Sequence, residues 1–124
     1  MKQLSFSIVN LKRTGSYDIR IDRSSPYGNP FIMSGYSSQE RDRVINEFNT
    51  WIWKLEQQAL RQKFFDQVQA LAESGVLFIK LACWCAPEPC HGDVWVEVYQ
   101  QMVAKAIADH VNDPNGSEET ADGC

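Results

Sequence analysis

The sequence has no run of about 18 consecutive apolar residues, so no segment reads as a membrane-spanning helix. Its opening stretch, MKQLSFSIVNLKRTG, also lacks the apolar block and small-residue cleavage site of a secretory signal. A cytoplasmic protein with no membrane partner is the expectation. Basic residues are not in excess either: 12 Lys and Arg stand against 16 Asp and Glu, a net charge of −4. Nonspecific duplex DNA binding needs many cations on one face, which sets that class of partner aside. Cysteines spread along the chain are missing too. Of the four, three fall within eight residues and the fourth is Cys124, a poor framework for disulfides. In a reducing compartment, clustered thiols beside a histidine point to metal or reactive-thiol chemistry. No internal repeat is visible.

What is present suffices for one core: 124 residues, 44% hydrophobic and 11% aromatic. Leu4, Phe6 and Ile8 alternate with polar residues, as do Tyr17, Ile19 and Ile21, which predicts two strands separated by a turn at Arg13 to Ser16. Ser37 with Glu40 fits a capping box, and Val44, Ile45, Phe48, Trp51, Ile52 and Leu55 follow helical spacing. A helix from about Ser38 to Gln58 is expected. The stripe shifts after it to Leu60, Phe64, Val68, Leu71 and Ala72, so the helix bends or restarts near Gln58 to Gln62 and stops at Gly75. Val76 to Ala82 reads as a largely buried third strand, and Val94, Val98, Met102 and Ala106 mark a last helix to about Val111. The whole is an α/β domain over residues 1–111, a small, mainly three-stranded sheet with three to four helices packed on it in two or three layers. The tail, 112–124, carries Asp113, Glu118, Glu119 and Asp122 with no core-forming residue and is expected to be disordered.

The chemistry concentrates in CWCAPEPCH. Cys83 and Cys85 stand two apart at a strand end, and Cys90 and His91 return after a stretch stiffened by Pro87 and Pro89. Three thiolates and an imidazole match the tetrahedral demand of zinc, so Cys83, Cys85, Cys90 and His91 form a candidate ligand set. Adjacent Cys90 and His91 strain that geometry. Two other readings stay open. Cys83 can be a small buried hydrophobe, with His91 or Asp93 capping the last helix. Alternatively, Cys90 at a helix N-terminus is a catalytic thiol of lowered pKa, with His91 or Asp93 moving its proton. Glu88 is a candidate base on a metal-bound water, although a solvated loop carboxylate is the preferred reading.

A second loop, RSSPYGNPF, follows the second strand. Arg23 with Ser24, Ser25, Gly28 and Asn29 offers a guanidinium fork, hydroxyls and backbone donors suited to a phosphate, carboxylate or nucleotide. The same residues can simply build a tight turn with Phe31 plugging the core. Arg41 and Arg43 are candidate second anchors for an anion. Among the tryptophans, Trp51 falls on the apolar stripe and Trp53 off it. Trp84, between two cysteines, either walls a ligand site or covers the core, and core cover is preferred.

In these two loops the sequence resembles a family known as domain-of-unknown-function number 4326, common in phages and bacteria. The resemblance rests on IDRSSPYGNPF, on VINEFNTWI in the helix after it, and on LACWCAPEPCHGDVWVEV, and it covers roughly residues 17 to 104. It implies recurrent positions at Arg23, Ser25, Pro26, Gly28, Asn29, Pro30, Phe31, Cys83, Cys85, Pro87, Cys90, His91 and Asp93, and a phage association, without supplying a reaction.

Both loops follow strands, and ligands of α/β sheets commonly bind at the carboxyl ends of strands. The two loops are therefore expected to share one sheet edge and one site. The leading expectation is a zinc-loaded Cys/His cluster forming one wall of a pocket for a nucleotide or other phosphate-bearing ligand. The rivals are a noncatalytic factor that acts on a host protein in the host cytoplasm with structural zinc, and a thiol-dependent enzyme using Cys90.

Overall fold

A computed structural model describes residues 3–86 and 88–111, so the tail expected to be disordered lies outside the described residues. Strand β1 spans Ser5–Asn10, β2 Ile19–Arg20 and β3 Phe78–Cys83, while helix α1 covers Ser38–Ile52, α2 Gln58–Glu73 and α3 Gly92–Val111. The strands form one sheet in the order β1, β3, β2, and both pairings are parallel. Parallel neighbours need a long crossover. The one between β2 and β3 carries α1 and α2.

The alternation of β3 decides the layering. Ile79, Leu81 and Cys83 are buried and belong to the core with residues of all three helices, whereas Phe78 and Lys80 are exposed. In β1, Phe6 and Ile8 pack on the same core while Ser5 and Ser7 face outward. The helices thus cover one face, and the domain has two layers. Trp95 of α3 centres the core, stacked on Phe64 at 4.5 Å between ring centroids and meeting Phe48 at 5.7 Å and Tyr27 at 5.3 Å edge-on. Such pairs add about 0.5–1.5 kcal/mol each beyond the area they bury.

Two expectations are corrected. The second strand is shorter than Tyr17 to Asp22 suggested, because Asp18 turns its carboxylate onto the Lys80 amide at 2.8 Å and Asp22 is drawn into side-chain bonds described below. The break between the first two helices comes earlier than Gln58 to Gln62: α1 ends at Ile52, and a short 3-10 turn, Leu55–Gln57, precedes α2. Arg61 is the cause. Its Nη1 donates to the carbonyls of Ile52 at 2.7 Å and Lys54 at 2.8 Å, which satisfies groups that a helix end leaves bare. At the far end of α2, Gly75 has φ +98°, and the amides of Gly75 and Val76 return to Ala72 and Leu71 as expected of a glycine stop.

Candidate metal centre and pocket

Cys83 ends β3 on the same face as Ile79 and Leu81, so its thiol enters the core side and is almost fully buried. Beyond the strand the chain is held by β1: Asn10 Nδ2 donates to the carbonyls of Ala86 at 2.6 Å and Trp84 at 3.3 Å. That clamp sets Cys85 beside Cys83, with the Cys85 amide 3.4 Å from the Cys83 sulfur. Cys90 comes from the start of α3, its sulfur 3.4 Å from Cys83 Sγ and accepting from the Gly92 amide at 3.2 Å. The three sulfurs all lie within 4.8 Å of one another, a spacing at which they can hold a metal ion.

His91 is not part of that group. Its Nε2 lies 2.7 Å from the Ile21 carbonyl and 3.1 Å from the Tyr27 carbonyl. Both partners only accept, so Nε2 carries the proton and donates. Burial lowers the imidazole pKa, which keeps the ring neutral. The Tyr27 carbonyl also accepts from Trp95 Nε1 at 2.8 Å. His91, just before α3, and Trp95 within it thereby dock the 23–31 loop against the CWCAPEPCH segment, a task the sequence reading did not give to Tyr27.

The thiols divide unequally. The Cys85 thiol is pulled down to about 2 by hydrogen bonds from Cys83 and Cys90, with Arg41 adding to the effect. The Cys90 thiol is pushed up by the same two neighbours and by burial. Cys90 is the more deeply buried of the two, 4% exposed beside the half-buried Cys85. Asp93 lies exposed on the first turn of α3, and neither it nor Glu88 lines the pocket beside the thiols.

That pocket, about 280 Å³, joins the two loops: Arg23, Asn29 and Phe31 on one side, Cys83, Trp84, Cys85, Cys90 and His91 on the other, with Arg41, Val44 and Ile45 of α1 between them. The shared sheet edge expected from the sequence is present. Most polar groups of the first loop, however, build the loop itself. Arg23 donates through Nε to the Asn29 carbonyl at 3.0 Å and through Nη2 to the Phe31 carbonyl at 2.9 Å. Asn29 Nδ2 donates to the Val44 carbonyl at 3.0 Å, and its Oδ1 accepts from the Phe31 amide at 2.9 Å. Ser24 donates to Asp22 Oδ1 at 2.9 Å and Ser25 to the Asp22 carbonyl at 2.8 Å. Gly28 lies against backbone, where a Cβ would stand 2.6 Å from Arg23 Cα and 2.7 Å from the Asp22 oxygen.

Asp22 and Trp84 are the residues that sequence reasoning undervalued. The Asp22 carboxylate accepts from Arg20 Nε at 2.7 Å and Nη2 at 3.0 Å, from Ser24, and from Trp84 Nε1 at 2.9 Å. The Arg20 pair, aided by Ser24 and Trp84, lowers its pKa from 3.8 to about 2. Trp84 does not cover the core: it is 50% exposed, lines the pocket, and has the Arg20 guanidinium 6.0 Å from its ring centroid. The alternation of Arg20 and Asp22 on one strand face was the available signal. Of the two candidate anchors, Arg43 is taken up by Glu40 at 2.8 Å and Glu47 at 3.0 Å, whereas Arg41 lines the pocket beside Cys85 and has a 3.3 Å contact to the Pro89 carbonyl.

Among the described residues no helix is long and apolar enough to cross a membrane. Neither the curated proteins nor the solved structures contain a match to the chain. A family model does match, over residues 9–101, and this span takes in the end of β1, both loops and the thiol cluster. The chain belongs to the family described as Domain of unknown function (DUF4326).

Proposed function

We propose that Cys83, Cys85 and Cys90 hold a zinc ion whose fourth position opens to the pocket between the two loops, and that the pocket binds a small phosphate-bearing ligand such as a nucleotide. The observation that carries this reading is the convergence of three sulfurs within 4.8 Å on the wall of a 280 Å³ pocket. Soft thiolates select zinc among the common divalent ions. Structural zinc sites close with four protein ligands, whereas sites that act on a ligand keep three and leave one place open. With His91 outside the group of close sulfurs, three ligands remain here. A cluster of reduced thiols fits a reducing compartment such as the cytoplasm.

A second reading draws on Ile32 and Tyr36, 69% and 93% exposed on the segment before α1. In it the chain is an interaction factor for a host protein, and the metal only ties β3 to α3. Elemental analysis of the purified full chain separates metal from free thiols. One zinc per chain, lost in Cys85→Ser, is expected, and a metal-free preparation whose melting is unmoved by added zinc or by chelator would refute the proposal. Nucleotide-induced thermal shift then separates the pocket reading from the interaction factor.

A further inference from the structure

The pocket's walls are unequal in kind, and that inequality specifies a ligand. Trp84 is half exposed, yet its ring is fixed: Nε1 is satisfied by Asp22 at 2.9 Å and the Arg20 guanidinium stands 6.0 Å from the ring centroid. Trp84 lines the pocket and Arg20 does not. A rigid aromatic surface with its polar atom already bonded offers little to a hydroxyl or an amide. It offers a stacking face to another flat ring.

The charge of the lining points the same way. Its one carboxylate, Asp22, is consumed by Arg20 in a 2.7 Å ion pair. The two guanidinium groups on the pocket keep donors in reserve: among the described residues Arg41 has its long contact to the Pro89 carbonyl and stands beside the Cys85 thiol, and Arg23 uses Nε and Nη2 but has no Nη1 partner. Phe31, Val44 and Ile45 complete the lining with apolar surface. A volume of 280 Å³ is at the small end of ligand sites, about 300–1,000 Å³, and admits one ring system with a short arm.

We infer that the ligand is a single flat aromatic ring system bearing one anionic group, with the ring laid on Trp84 and the anion held by Arg41 and the remaining Nη1 of Arg23. This deepens the reading of the pocket as a ligand site and rests on that reading, but not on the metal. A nucleoside monophosphate and an aromatic carboxylate share this chemistry.

Calorimetric titration of the full chain with adenosine 5′-monophosphate, adenosine, inorganic phosphate and benzoate tests the inference, with zinc content measured on each preparation. At least one of the two ring-bearing anions is expected to bind about tenfold or more tighter than adenosine and than phosphate. Which of the two does so tells nucleotide from carboxylate. Trp84→Ala is expected to lower that affinity about tenfold, to the level of bare phosphate, while Trp84→Phe retains most of it. Arg41→Gln is expected to lower it about tenfold, toward the neutral ring, with zinc content unchanged. Equal binding of adenosine and its monophosphate, an affinity unaltered in Trp84→Ala, or no binding of any probe by a zinc-loaded chain would overturn the inference. Binding that persists in zinc-free Cys85→Ser would leave it standing and show that the pocket holds the ligand without the metal, whereas a native chain that binds yet carries no zinc would remove the metal reading alone.

Discussion

Asp22 ties the two loops together, since one carboxylate receives Arg20 from β2, Ser24 from the loop that follows and Trp84 from the cysteine segment. Its folded pKa, about 2, lies below the usual 3.8, so its contribution is fully present above pH 3.8 and is lost as pH falls toward 2. A gap of this size corresponds to about 2 kcal/mol at neutral pH. Asp22→Asn is therefore expected to lower unfolding stability by about that amount at pH 7, and the difference from the native chain should shrink below pH 4. Urea melts across that pH range measure both. Gly28 makes a second case at this scale. A methyl there meets backbone atoms at 2.6 and 2.7 Å, which cannot swing aside as side-chain tips can, whereas at Gly15 it meets nothing within 4 Å. Gly28→Ala is expected to cost about 2 kcal/mol or more by overpacking and Gly15→Ala close to nothing, as read by thermal unfolding of the pair.

At the scale of elements, helix ends were only partly legible. The start of α1 followed from Ser37 and Glu40, and the Ser37 hydroxyl does accept the Glu40 amide at 3.1 Å. The reciprocal half of the capping box is replaced, because the Glu40 carboxylate takes the Ser34 amide at 2.8 Å and the Arg43 guanidinium. Ser37→Ala is expected to cost about 1 kcal/mol, measured by chemical denaturation. The end of α1 was misplaced for a physical reason: periodicity reports which face is buried and says nothing of a cation that reaches back from the next helix. Arg61→Ala leaves the Ile52 and Lys54 carbonyls without that donor, and a loss of about 2 kcal/mol is the expected result in the same assay. Strand β2 shows the same limit, since alternation over six residues cannot foretell that the Asp18 carboxylate takes the Lys80 amide at the strand's start and that the Asp22 carboxylate is taken up by side chains just past its end.

For the whole molecule, the legible part was the one that order along the chain can carry: an α/β domain, two loops after two strands, and a thiol cluster between a buried strand and a helix. The division of labour within the site was not. No spacing in CWCAPEPCH reveals that His91 serves the Ile21 and Tyr27 carbonyls, residues 70 and 64 positions away in sequence, instead of joining the sulfurs. Nor does RSSPYGNPF show that its serines and asparagine are spent on the loop while Arg41, from the next helix, faces the pocket. The central claim, three sulfurs on one ion with a fourth place open to the pocket, is tested most directly by X-ray absorption at the zinc edge on the zinc-loaded chain. Three sulfur scatterers at about 2.3 Å and one light atom without the multiple-scattering signature of imidazole are the expected result. A spectrum with fewer than three sulfurs, or with a bound imidazole, would contradict it.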